Sequence, residues 1–282
     1  MKTLVLSSKR LLLCLILSGF SSFLLATTES EPTVLIPSQS VPSQSVPIQP
    51  AMKALATPVT VVTEYLPPFQ QKNDDGSLGG YSTEVVRALY ALMGEKLEIQ
   101  VLPWARAYST ALRGKNVLIY SMSYSKERAK LFHWVGILEY EQGYIWGLKS
   151  RFPRPPKSLD AMRSYSVSVT HGSLPDAYLS RKGFSNVHHV VNAEQNIGML
   201  FRRRVDLIVG TELPLRAFVK KQSLDFKKVT KLFKAKGLNT NLQLAFSKDT
   251  DPAILARFQQ SFKQLQQSKE FKAIRQKWGL VD

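Results

Sequence analysis

Short apolar runs alternate with helical stripes along this chain, and that order restricts the fold more than any single motif. Val59 and Val61 alternate with Thr60 and Thr63 as a half-buried strand from Pro58 to Glu64. Val85, Val86, Leu89, Leu92 and Met93 then recur at helical spacing up to Gly94, with a helix cap expected near Ser82 or Thr83. A second strand is predicted over Leu97 to Val101, and a helix opening at Pro103-Trp104 carries Ala107, Ala111 and Leu112 to Gly114. The run Val117-Leu118-Ile119-Tyr120 is the third strand. Strands joined by helices must cross over to pair, so the unit implies a mainly parallel sheet.

The pattern returns further on. Apolar strands are expected over Trp134 to Glu139 and Gln142 to Leu148, then over Ser164 to Thr170, Val187 to Val191 and Val205 to Val209. Helices are expected at Ser158 to Met162, Asp176 to Arg181 and Ala193 to Arg203. Leu242 to Phe246 reads as a returning strand. Two final stripes, Ile254, Leu255, Phe258, Phe262, Leu265 and Phe271, Ile274, Trp278, are expected to pack on the first half. The reading is α/β with two lobes: residues 57–143 plus 241–282 form lobe one, and 144–240 form lobe two.

The first 56 residues stand apart. Residues 1–26 pair Lys2, Lys9 and Arg10 with an apolar run from Leu11 to Ala26, the pattern of a secretory signal peptide. Ser18, Gly19, Ser21 and Ser22 interrupt that run and make a spanning helix a poor fit. Residues 27–56, with the near-repeat Pro-Ser-Gln-Ser-Val-Pro, cannot bury enough apolar surface to fold and read as a linker. The single cysteine, Cys14, falls in the signal, so disulfides and thiol chemistry drop out of the mature chain. An exported, periplasmic protein is expected.

Charge is uneven. The chain carries a net +17, and residues 144–240 alone hold 18 Lys and Arg against 6 Asp and Glu. Such a field favours an anionic ligand or an acidic partner surface. Nucleic acid is a poor expectation for an exported chain with no nucleic-acid-binding motif.

The stretch Ser121 to Val135 leaves the third strand at the sheet end where α/β folds bind ligands. Hydroxyls at Ser121, Ser123 and Ser125, the N–H groups of a starting helical turn and the guanidinium of Arg128 form one candidate anion site. The plainer reading makes Ser125 a helix cap and leaves Arg128 to solvent or to Glu127.

The residues that follow one another in order are Tyr65 with Pro68-Phe69, Gly76 and Gly80-Tyr81, Gly114, Ser121-Met122-Ser123 with Glu127-Arg128 and Phe132, and Gly143-Tyr144. Gly172-Ser173, Arg204-Val205-Asp206 and Lys277-Trp278-Gly279 complete them. On these the chain resembles the bacterial extracellular solute-binding proteins of family three, across nearly all of 57–282. The resemblance implies a two-lobed periplasmic-binding-protein-like fold. Each lobe would be a mainly parallel sheet flanked by helices, the lobes would be joined by two crossover segments, and the ligand would lie in the cleft.

It also implies a solute-binding protein, monomeric and not an enzyme. Such a protein holds a small carboxylate-bearing ligand, an amino acid or related anion, for an ABC-type permease or a membrane sensor. Arg128 and Ser123 fall where the family holds the ligand carboxylate, with Ser121 alongside; Tyr65 and Trp104 fall near the aromatic walls, and Gly172-Ser173 on the second lobe. Two departures stand out. Amino-acid-binding members place an aspartate at the end of the second-lobe strand for the ligand ammonium, where this chain has Thr211, with Glu212 one residue on. The position after Gly172-Ser173, often a hydroxyl, is Leu174.

Other chemistry is not indicated. The histidines, His133, His171, His188 and His189, offer no spacing that puts two on one helical face, so no metal site is expected. No phosphate-binding loop, dinucleotide fingerprint or nucleophile elbow occurs, and no cofactor is expected. The enzyme alternative is a dehydratase of cyclic carboxylates such as prephenate, with Glu212 as its general acid. Arg106 is a second anion contact or, on the plainer reading, a surface arginine.

Overall fold

The computed structural model describes residues 57–280, so the expected signal peptide and linker lie outside the described residues. β1 (Thr60–Thr63) leads to a small hairpin, β2 (Gln71–Lys72) and β3 (Leu78–Gly79), which turns at Asn73–Gly76. Helix α1 (Tyr81–Met93), β4 (Ile99–Val101), α2 (Trp104–Arg113) and β5 (Val117–Ser123) follow. β1 lies between β4 and β5 and pairs in parallel with both, as two crossovers require.

The start of α1 differs from expectation. Neither Ser82 nor Thr83 caps it; the backbone N–H groups of both donate to the Phe69 carbonyl instead. Gly80 makes this turn at φ 105, and a β-carbon there would meet the Phe69 oxygen at 2.4 Å. A loop carbonyl has taken over the task of a hydroxyl cap.

After the short α3 (Lys126–Ala129) comes β6 (Phe132–Leu148), 17 residues long, where two successive strands were expected. The polar residues Glu139 to Gln142 do not end it, because a long partner satisfies their backbone. That partner is β10 (Val229–Ser247), 19 residues, of which the expected Leu242–Phe246 strand is only the last part. Between them lie β7 (Val167–Thr170), α4 (Leu174–Arg181), β8 (Val187–Val190), α5 (Ala193–Phe201), β9 (Leu207–Gly210) and α6 (Glu212–Lys221). The sequence reading passed over α6. The expected helix at Ser158 to Met162 is a 3-10 turn, Asp160–Met162. Helices α7 (Pro252–Gln266) and α8 (Lys269–Lys277) close the chain.

One sheet results, in the order β4-β1-β5-β10-β6-β9-β7-β8. Its two ends are parallel, β10 and β6 run antiparallel through its middle, and helices cover both faces of each end. At one end, Leu89, Leu118, Phe258 and Phe262 share a core, with Ala107, Val117 and Ile119 on the opposite face. At the other end, Val167, Tyr178 and Leu207 form one core, and Leu200, Ile208 and Phe218 another. Two lobes thus arise on one continuous sheet. Among the described residues no helix is long and apolar enough to cross a membrane.

Phe258 sits fully buried, its ring edge-on to Phe246 at 4.9 Å and to Tyr90 at 5.4 Å. Phe258→Ala should cost about 3–5 kcal/mol through lost burial and the cavity left behind, read as a fall in the urea midpoint. A loss under about 1 kcal/mol would show that the terminal helices do not anchor this core.

Candidate ligand site between the lobes

The parallel strands of both lobes end on one cavity. Glu64 follows β1, Ser121 and Ser123 lie in the second half of β5, Thr170 ends β7, and Gly210 ends β9 with Thr211 after it; all line it. It offers about 130 Å³ of space to water, which suits a small solute rather than a macromolecule. Trp104, Trp146, Leu66 and Phe218 supply apolar wall. Residues of the first turns of α4, α5 and α6 also line it, among them Leu174, Ala193 and Pro214.

In the Ser121–Arg128 stretch the structure keeps the cap of the plainer reading but not its solvent-exposed arginine. Ser125 caps α3 by accepting from the Arg128 N–H at 3.2 Å. Arg128 itself is 7% exposed and lines the cavity. Its Nη1 donates to the Ser123 carbonyl at 3.0 Å and Nη2 to the Gly172 carbonyl at 3.3 Å; its guanidinium lies over Trp104 at 4.9 Å and Tyr108 at 5.1 Å. With five N–H donors, the fork keeps capacity for a carboxylate.

Ser121 has a left-handed backbone, φ 56, in the middle of β5. Before it the strand alternates, with Leu118 and Tyr120 in one core and Val117 and Ile119 in the other; after it Met122 joins Val117 and Ile119. The register against β10 shifts at the same place. This is a bulge that resets the alternation and keeps Ser121 out of both cores. Its hydroxyl accepts from Gln70 Nε2 at the cavity wall. Strain of this kind persists where the surroundings hold it, commonly at binding sites.

Gly172 and Ser173 close the cleft from the second lobe. The Gly172 carbonyl receives Trp104 Nε1 at 3.0 Å as well as Arg128, so it is gripped from lobe one by two donors. Ser173 caps α4 by accepting from the Asp176 N–H and lines the cavity beside Leu174.

Tyr65, Gly172 and Glu212 were expected at the ligand and do not line the cavity. Tyr65 is 41% exposed and is not among the lining residues, because strand alternation turns Glu64 and Leu66 inward and Tyr65 out. Glu212 also lies off the cavity. Lys231 at 2.5 Å and Arg216 at 2.6 Å hold its carboxyl below the usual carboxylate range. Arg106 is exposed on the solvent face of α2, in keeping with its plainer reading as a surface arginine.

The acids that do line the cavity were not singled out from the sequence. Withdrawal from water pushes the Glu64 carboxyl up to about 8, against the opposing pull of Arg128. Glu141, from the middle of β6, accepts from the Thr211 hydroxyl at 2.5 Å; burial raises it to about 7 although that bond and the Leu213 N–H favour its ionised form. Thr211, standing where an aspartate was expected, thus touches an acid supplied by another strand. Trp146, whose Nε1 donates to the Gly210 carbonyl at 3.0 Å, was missed as well. Glu64 had a legible signal, since it ends a strand as Ser121 does. Glu141 had none.

The histidines also depart from expectation: pairing of β7 with β8 brings His171 and His189 to the same Asp176.

No curated protein is significantly similar to this chain in sequence. Solved structures share its fold at low identity. A histidine kinase sensor domain with similarity to periplasmic binding proteins superposes with a TM-score of 0.70 at 20% identity, covering 78% of this chain and 95% of that one. A mutant of the arginine-binding protein ArgBP from T. maritima gives 0.69 at 19%, covering 79% and 96%. An ancestral arginine-binding protein bound to arginine gives 0.67 at 21%, covering 78% and 97%. Residues 59–281 match the model of the bacterial extracellular solute-binding proteins, family 3, and with its two lobes on one sheet and its inter-lobe cavity this chain belongs to that family.

Proposed function

We propose that this chain is an exported binding protein that captures a small solute bearing both a carboxylate and a cationic group, an amino acid or close relative, and delivers it to an ABC-type membrane transporter. One observation carries the reading. A buried guanidinium, Arg128, and two carboxyls, Glu64 and Glu141, line the same small cavity between tryptophan walls. A guanidinium and carboxyls that a bound cation would ionise, set in one shielded site, match a zwitterion, whose own charges are paired there at a strength water would not allow. In this reading Arg128, with Ser121 and Ser123 beside it, takes the carboxylate. Glu141, steadied by Thr211, or Glu64 takes the cationic group. Residues 57–143 with 241–282 dock the ligand first, and 144–240 closes over it, as the grip of Trp104 and Arg128 on Gly172 suggests.

The arginine-binding neighbours, and the ancestral protein also seen bound to glutamine, support an amino acid ligand. The sensor-domain neighbour supports a second reading, in which the closed lobes address a membrane sensor instead. Binding proceeds without turnover in both.

A thermal-shift panel of amino acids, dicarboxylates and short peptides tests the reading. At least one amino acid should raise Tm by mass action, and dicarboxylates should not. A response to dicarboxylates alone would overturn the zwitterion assignment. Formation of phenylpyruvate from prephenate, lost in Glu64→Gln, would overturn binding without turnover.

A further inference from the structure

We propose that His171, Asp176 and His189 form a site for one divalent transition metal ion of the zinc type, on the second lobe beside the Gly172 turn. The three come from separate elements: the turn after β7, the first turn of α4, and β8. Among the described residues they are the group of histidine and acidic side chains whose ligand atoms lie near enough to share an ion, all within 4.8 Å of one another. Parallel pairing of Val169 with His189, and the bond from the His171 N–H to the Val190 carbonyl, set the two imidazoles side by side, 5.3 Å between ring centres.

The geometry is near what zinc needs. His189 Nε2 lies 2.9 Å from Asp176 Oδ1, and His171 Nδ1 lies 3.8 Å from Asp176 Oδ2. Tetrahedral ligands at bonds of about 2.0–2.1 Å stand about 3.3 Å apart, between those two values. Both imidazoles are open to solvent, with side chains 70% and 47% exposed, so an ion can enter and water can complete its coordination. Asp176 is oriented from behind, because its Oδ2 accepts from the Gly172 N–H at 2.8 Å. Outer contacts of this kind hold a ligand in place for a metal.

The plainer account is a pair of surface histidine–aspartate contacts, and metal titration separates the two. With 18 basic against 6 acidic residues over 144–240, the field repels cations. An ion held here must be held by imidazole ligation, which suits zinc, copper or nickel and not the oxygen-seeking magnesium or calcium. The site also touches the cleft. Asp176 holds the N–H side of the Gly172 turn, whose carbonyl Trp104 and Arg128 grip from lobe one.

The test titrates zinc chloride into the tag-free, metal-stripped chain by calorimetry, with Co²⁺ absorption as a second readout of coordination. One ion per chain is expected. Affinity should fall by about 100-fold or more in His171→Ala and in His189→Ala, both exposed enough to leave the fold intact. His188→Ala, on the opposite side of β8, should bind as the parent does, and magnesium and calcium should give no heat. Absence of zinc binding in the parent, or zinc affinity unchanged in the His171→Ala/His189→Ala double variant, would overturn the site.

Discussion

Arg128→Ala is expected to weaken binding of the best amino acid found in the panel by about 100-fold or more, measured by calorimetry. Each charge-assisted hydrogen bond to a ligand carboxylate in this site is worth roughly 1.5–3 kcal/mol, and two are lost together. The same change removes the donor to the Gly172 carbonyl and the cation stacked on Trp104 and Tyr108, so the closed arrangement loses a contact as well. Arg128→Lys keeps the charge without the planar fork and should recover only part of the affinity. The unfolding midpoint of each variant separates loss of binding from loss of fold. Affinity in Arg128→Ala within about threefold of the parent would remove Arg128 from the site.

The second large effect is on pH dependence. In the folded chain Glu64 and Glu141 hold their protons up to about 8 and about 7, against an ordinary value of 4.5. A cationic ligand group prefers them ionised, so binding releases protons and affinity should rise as pH goes from 6 to 8. The rise should approach tenfold per pH unit for each proton released. Glu141→Gln and Glu64→Gln should each flatten part of that profile, and the variant that removes the true partner should also lose affinity at pH 8.

The ligand-free protein should behave in the opposite sense. Folding raises both pKa values, so the stability these groups contribute is full below about 4.5 and is lost as pH rises through about 7 and 8. Tm without ligand should therefore fall between pH 5 and 8, and less so in Glu64→Gln. Affinity that falls as pH rises would instead indicate a ligand without a cationic group.

Arg128 shows what residue order makes legible. Its place after a buried strand and a capping serine marked it, and the structure keeps both the cap and the cavity. Tyr65 shows the limit, because being near a strand end does not say which side a residue faces. One step of alternation puts Glu64 at the cavity and Tyr65 in solvent. Glu141 and the grouping of His171, Asp176 and His189 lie further beyond reach. Glu141 meets Thr211 from 70 residues away, and His189 meets Asp176 only because β8 pairs with β7.

By itself the sequence determined the α/β repeat, the lobes' helical faces and the capped turn at Ser125–Arg128, since these follow from apolar periodicity and local hydrogen bonding within a few residues. Only the tertiary structure decided that β6 and β10 run unbroken between the lobes, that a bulge keeps Ser121 out of both cores at the cavity wall, and that two half-buried acids share the cavity with Arg128. Those features depend on strand pairing over long separations and on exclusion of water by both lobes at once, which no local pattern encodes.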